Sequence, residues 1–264
     1  MAPKRDYARM FDLTGRKAIV TGGSRGIGRA LTEALAAHGA DVCVVVRSTL
    51  PQAEELVAEL NRGGGDSFAI QADVADPADV ERLAAGGEAR WGRADLRVNN
   101  AGTIYPGDAE TYALADWRAT MATNLDGVFL VSQAIGRLMI RQKSGSIINI
   151  GSMSGRIVNW PFKHSAYNVS KAAVHMLTKC LATEWAEHNI RVNALAPGYI
   201  LTELTEEVLR ENPDVVNNHW AKSAVQNRIG TVDELAGSVV YLASDAASFT
   251  TGEIHTVDGG LTLR

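Results

Sequence analysis

Short apolar runs alternate with stretches of helical periodicity along almost all of the 264 residues, and this alternation restricts the fold more than any other feature. The runs at 17–21, 41–46, 67–72, 95–98, 146–150, 190–196 and 254–257 are mostly apolar throughout and rich in Val and Ile. A strand buried on one face alternates apolar and polar residues, whereas a continuous run suits a parallel strand covered on both faces. Between the runs, apolar residues recur at three and four. Ile27, Ala30, Leu31, Ala34 and Leu35 form one such stripe, closed by Gly39. Further helices are expected at 50–62, at 77–91 opening on Pro77, at about 116–140, and from about 166 to 187. The capping box Thr231-Val232-Asp233-Glu234 starts another that runs to Leu242. This order predicts an α/β fold, a doubly wound parallel sheet of about seven strands with helices on both faces. No linker rich in Pro, Ser or Gly divides the chain and no period repeats. Residues 1–264 therefore read as one domain, with the mixed segment 199–227 as a small substrate lobe.

The junction of the first strand and helix is Gly22-Gly23-Ser24-Arg25-Gly26-Ile27-Gly28. Glycines at 22, 26 and 28 permit a tight turn and a close backbone approach, and the helix start offers unpaired N–H groups and a positive dipole end to a pyrophosphate. With such a turn on the first strand, the sheet reads as a Rossmann-type dinucleotide-binding fold. An acid at the end of the second strand accepts from the ribose 2'-hydroxyl of NAD, whereas NADP needs a cation for its 2'-phosphate. Here that strand ends Val46-Arg47-Ser48, without an acid, and Arg25 is a second cation inside the turn. NADP(H) is the expected cofactor, with NAD(H) also possible if either arginine is a solvated surface residue.

Composition excludes other classes. The net charge is -4 and no basic stripe is present, so a nucleic-acid partner is not expected. No run approaches the roughly 18 apolar residues of a membrane span, and the charged start has no apolar signal core, so the expected location is cytoplasmic, without a membrane partner. Cys43 and Cys180 stand far apart in apolar contexts and read as buried free thiols, with no metal-site spacing.

Tyr167 and Lys171 are four residues apart on a predicted helix and share a face. A fixed cation beside a phenol favours the phenolate, so the pair is expected to lower the Tyr167 pKa toward neutrality.

Together these residues resemble the short-chain dehydrogenase/reductase superfamily over about residues 11 to 262. The motifs that carry the resemblance are Thr21 to Gly28, Asp73, Asn99 to Gly102, Ser152 with Tyr167-x-x-x-Lys171, and Pro197-Gly198. The resemblance implies a catalytic tetrad of Asn124, Ser152, Tyr167 and Lys171. Tyr167 would exchange a proton with the substrate oxygen, Ser152 would orient that oxygen, Lys171 would bind ribose and lower the Tyr167 pKa, and Asn124 would hold a water joining Lys171 to solvent. It also implies that the dinucleotide lies against Gly22, Ser24, Arg25, Gly26, Ile27 and Gly28, with Arg47 and Ser48 beyond the second strand. Asp73 and Val74, then Asn100, Ala101 and Gly102, would meet the adenosine side, and Pro197, Gly198, Ile200 and Thr202 the nicotinamide side, together with Tyr167 and Lys171. Ser154 is a rival for the role of Ser152. Arg97 stands in a strand that should be apolar, where a buried charge is costly without a partner; local distortion there would disturb the Asn99 to Gly102 loop.

The stretches Ser152 to Pro161 and Pro197 to Leu204 resemble the mannitol dehydrogenase, sorbose reductase and xylulose reductase branch. The substrate implied is a polyol or ketose held by Ser152, Ser154, Asn159, His164, Tyr167, Tyr199 and Glu203, with Lys163 as a further polar group. Two other readings remain: a 3-oxoacyl thioester reductase, whose acidic carrier would meet Lys163, Arg156 and Arg228, and a non-catalytic NADP-binding sensor. Relatives associate through their two long helices and C-terminal strand, so a homotetramer or homodimer is expected.

Overall fold

The computed structural model describes residues 6–263 apart from Asn212; the first five residues of the charged start and Arg264 lie outside the described residues. In chain order its strands and helices are β1 (Lys17–Thr21), α1 (Gly26–Ala37), β2 (Asp41–Val46), α2 (Leu50–Leu60), β3 (Phe68–Gln71), α3 (Pro77–Trp91), β4 (Leu96–Asn99), α4 (Leu114–Met121), α5 (Gly127–Gln142), β5 (Gly145–Ile150), α6 (Ser165–Trp185), β6 (Ile190–Pro197), β7 (Ile200–Leu201), α7 (Glu203–Glu211), α8 (Pro213–Val215), β8 (Gly230–Thr231), α9 (Ala236–Ala243) and β9 (Ile254–Val257). Seven strands form one sheet in the order β3-β2-β1-β4-β5-β6-β9, and every pairing is parallel. The continuous apolar runs therefore do lie between two helical layers. One core cluster joins Val42, Val44 and Ile148 to Leu31, Leu35 and Val239, and the other joins Ile19, Cys43 and Ile147 to Leu83, Val131 and Ile135.

The winding direction reverses between β1 and β4. At such a switch point the connections after two neighbouring strands diverge, and a crevice opens beyond their carboxyl ends. The glycine turn follows β1 and the Asn100–Gly102 loop follows β4, so both motifs face that crevice.

Three expectations change. The helix expected over 116–140 is two helices joined by a π turn, Ala122–Asp126, which displaces the backbone ladder around Asn124. The 199–227 segment, expected to have no strand, is bounded by β7, which pairs in parallel with β8. Two residues per strand are too short a pattern to read from periodicity. Cys180 is exposed, because it falls on the outer side of α6, while Cys43 is buried as expected; both thiols are free. By contrast, β4 is undistorted at Arg97, which keeps regular register with Ile19 on β1 and Ile147 on β5.

Candidate active site

The turn after β1 needs its glycines. Gly22 and Gly26 adopt φ of +62° and +51°, in the left-handed region that disfavours side chains. A Cβ on Gly28 would strike the Gly22 carbonyl and the Asn100 side-chain amide, and one on Gly22 would press on the Ala101 backbone, so the turn and the β4 loop are closely packed. Asn100 Nδ2 donates to the Thr21 and Gly22 carbonyls, each at 3.0 Å. Thr21 Oγ1 accepts the N–H groups of Asn100 at 3.1 Å and Ala101 at 3.2 Å. At the start of α1, Arg25 makes no side-chain cap, so the first-turn N–H groups remain directed at the crevice.

Ser24, Arg25 and Arg29 line a cavity of about 310 Å³ against α2. Arg29 is held by Glu33 at 2.7 Å and Glu59 at 3.3 Å, whereas Arg25 has no ion-pair partner among the described residues. Ser24 Oγ lies 3.1 Å from Thr49 Oγ1, joining the glycine turn to the segment after β2. Arg47 and Ser48 are exposed beside it. Glu203 lines this same cavity, which places it with the arginines; Thr202 rests against Gly26. Asp73 accepts the Ala75 N–H at 2.9 Å, and Val74 is buried against α5 where Gly127 leaves room for it. Pro197 ends β6, Gly198 packs on Asp258 and donates to the Val257 carbonyl, and Ile200 is buried.

At the carboxyl end of β5, Ser152 caps a short turn through the Ser154 N–H at 3.1 Å, and its hydroxyl donates to Ser154 Oγ at 3.0 Å. Of the two serines, Ser152 is the one whose hydroxyl pulls the Tyr167 phenol down. Lys171 follows one turn later on α6, with Nζ 5.5 Å from the Tyr167 ring centroid and 2.7 Å from the Ile150 carbonyl. Burial pushes Lys171 down to about 8. Burial also raises the Tyr167 phenol, with Ser152 pulling the other way. The net direction is up, against the expected lowering, because taking the phenolate out of water is the largest effect on this group.

Asn124 is fully buried at the π turn. Its Oδ1 accepts the Thr103 N–H at 2.8 Å, and its Nδ2 donates to the Thr103 carbonyl at 2.9 Å and Ser170 Oγ at 3.1 Å. Both amide hydrogens are committed, which leaves a single lone pair of Oδ1 for a water. The side chain thus pins the loop after Gly102 to α6.

Phe162, His164, Tyr199 and Trp220 form an aromatic cluster. Tyr199 stacks on Trp220 at 4.8 Å and 9°, Phe162 leans on Trp220 at 5.9 Å, and His164 stacks on Phe162 at 5.8 Å. Asn159 Nδ2 reaches the Tyr199 hydroxyl at 3.4 Å, while Asn168 holds Asn159 Oδ1 at 3.0 Å. Burial lowers the His164 pKa, which favours the neutral ring. Lys163 is paired with Asp108. Phe162 and Trp220 were not expected from the sequence. His175 was also missed: it is buried below Ser152, pushed down to about 4 by burial, and fits only because Gly151 and Gly155 carry no side chains there. The spacing signal for His175 was there, four residues after Lys171 on the same helix, whereas Phe162 and Trp220 are brought together by elements distant in sequence.

Comparison with known proteins supplies the family. A family model described as enoyl-(acyl carrier protein) reductase matches residues 22–262. Galactitol 2-dehydrogenase of Rhizobium johnstonii is 46% identical over 260 residues, covering 97% of this chain and 98% of the relative. The 3-oxoacyl-[acyl-carrier-protein] reductase of a Synechocystis species is 40% identical, covering 96% of this chain and all of the relative (100%). The crystal structure of a gluconate 5-dehydrogenase from Burkholderia cenocepacia, in complex with NADP and tartrate, superposes with a TM-score of 0.92 at 37% identity, covering 98% of this chain and 100% of that one. With the parallel sheet, the glycine turn and the Ser152–Tyr167–Lys171 arrangement in one crevice, and with relatives matched along nearly their whole length, the chain belongs to the short-chain dehydrogenase/reductase superfamily of oxidoreductases.

Proposed function

We propose that this protein transfers a hydride between NADP(H) and a secondary alcohol or ketone of a polyol–ketose pair. The observation that carries the reading is the buried Tyr167 phenol under the influence of Ser152, with Lys171 Nζ 5.5 Å from its ring centroid. The donor set suits a dinucleotide: α1 offers uncapped N–H groups to a pyrophosphate, and Arg25, Arg47, Ser24 and Ser48 offer a cationic, hydroxyl-bearing edge to a 2'-phosphate. Lys171 Nζ, with one of its three hydrogens on the Ile150 carbonyl, has two left for ribose hydroxyls. When bound, the nicotinamide supplies or accepts the hydride.

The protein's own residues handle the proton. In reduction the Tyr167 phenol gives its proton to the substrate oxygen as charge develops there, and in oxidation the phenolate takes it back. Burial of the phenol favours the protonated form, which is the one that reduction needs. Ser152 turns its single hydroxyl proton from Ser154 Oγ to the same oxygen and fixes its position, Lys171 stabilises the phenolate left behind, and Asn124 keeps α6 against the Thr103 loop.

A polyol is favoured by its fit to a wall that combines ring faces with polar groups, Asn159, His164, Tyr199 and Trp220, and by the galactitol dehydrogenase relative. Glu203, beside Arg25 and Arg29, is assigned to the cofactor end instead. A 3-oxoacyl thioester on an acidic carrier is the second reading, suggested by the Synechocystis relative. The cations it would dock on are already engaged: Lys163 is paired with Asp108, Arg228 with Glu234, and Arg156 donates to the Ile254 carbonyl at 2.7 Å. Association into a homodimer or homotetramer through α5, α6 and the C-terminal end is part of the same reading.

The test is initial rates with NADPH and NADH against fructose, sorbose, xylulose, a diketone and an acetoacetyl thioester. Turnover of a ketose with NADPH supports the reading. Activity confined to the thioester would replace the substrate class, and preference for NADH would overturn the role of Arg25 and Arg47.

A further inference from the structure

Arg97 occupies a fully buried position in β4, in a sheet whose strands are otherwise apolar at that level. Its partners among the described residues are the Ile19 carbonyl at 3.2 Å, Thr21 Oγ1 at 3.4 Å and Asn99 Oδ1 at 2.6 Å, none of them a carboxylate, and Nε has no partner. A cation held only by neutral dipoles is an expensive way to fill a core, since an apolar side chain of similar length would fill it without desolvating a charge. Stability is therefore a poor account of this residue.

The guanidinium does impose a direction. By holding Asn99 Oδ1 it turns that residue's Nδ2 toward Ser132 Oγ at 2.9 Å and Asn149 Oδ1 at 2.8 Å. Asn149 Nδ2 then donates to Thr178 Oγ1 at 2.9 Å, and Thr178 donates to the Val174 carbonyl at 2.8 Å, one turn beyond Lys171 on α6. Every donor in this strip points away from Arg97. If Asn99 reversed its amide, its oxygen would face Asn149 Oδ1, and the strip would break at its root. On the other side Arg97 meets Thr21, whose hydroxyl holds the Asn100 and Ala101 N–H groups.

We propose that Arg97 is a positioning residue for the dinucleotide, holding the Asn100–Gly102 loop and α6 in the mutual register that binds it. This rests on the cofactor reading above. Two measurements test it: NADPH binding by nicotinamide fluorescence, and the thermal midpoint of the protein without cofactor. Arg97→Met is expected to bind NADPH about tenfold more weakly with a midpoint unchanged or raised. Arg97→Lys keeps the charge without the planar fork and is expected to recover part of the affinity. Wild-type affinity in Arg97→Met would overturn the proposal. So would parallel losses of midpoint and affinity in both variants, or a collapse of Arg97→Met with wild-type affinity in Arg97→Lys, since each assigns the residue to packing alone. Wild-type protein that binds no NADPH would instead overturn the cofactor reading itself.

Discussion

Lys171 holds its ammonium at a position only 5% exposed, where burial lowers its pKa from 10.5 to about 8 and the Ile150 carbonyl is its one hydrogen-bond partner. The charged form is penalised in the folded state, so between those two values the unfolded chain binds more protons and stability rises with pH. Below about 8 the penalty is complete, and the shift corresponds to roughly 3 kcal/mol. Lys171→Met should therefore raise the thermal midpoint at pH 7 by several degrees while abolishing turnover, and the gain should shrink at pH 10. Melting curves at the two pH values check this, and a gain independent of pH would mean that packing rather than charge is responsible. The sequence placed Tyr167 and Lys171 together through helical spacing alone. It could not show that burial would raise the phenol, because desolvation depends on everything packed around the ring.

At the scale of elements, the π turn between α4 and α5 and the lobe after β6 depart most from the sequence reading, and both touch the site. In the lobe, Trp220 is 8% exposed and its indole N–H has no partner among the described residues. A buried donor of this kind is costly unless something accepts from it, and a substrate hydroxyl can. Trp220→Phe retains an aromatic ring against Tyr199 and removes only the donor. If Trp220 reads a hydroxyl, KM for a polyol should rise about fivefold with kcat little changed, the size of one lost hydrogen bond. A fall in kcat with KM unchanged would instead show that the ring merely supports the lobe. The capping box Thr231–Glu234 was legible because its four residues are contiguous, and Thr231 N–H does donate to Glu234 at 2.9 Å. The stacking of Tyr199 on Trp220 was not, since it joins residues on separate elements.

For the whole molecule, the exposed Phe129 on α5, Val169 and Met176 on α6, and Phe249 before β9 leave apolar side chains on the surface expected to associate. Val169 and Met176 are seven apart and share a helix face. Sedimentation of the wild-type protein is expected to give a dimer or tetramer, and Met176→Glu to shift it toward smaller species; a monomeric wild type would end the proposal of association. The order of strands and helices, the glycine turn and the pairing of Tyr167 with Lys171 were determined by the sequence alone. Each arises from residues close together in the chain, where backbone geometry converts spacing directly into shape. Other features were decided only by the tertiary structure: Ser152 rather than Ser154 at the phenol, Asn124 committed to Thr103 and Ser170, Glu203 beside the arginines, and a tolerable environment for Arg97. Burial and hydrogen-bond partners of these side chains come from elements far apart in sequence, and local spacing carries no record of which neighbours the folded sheet will supply.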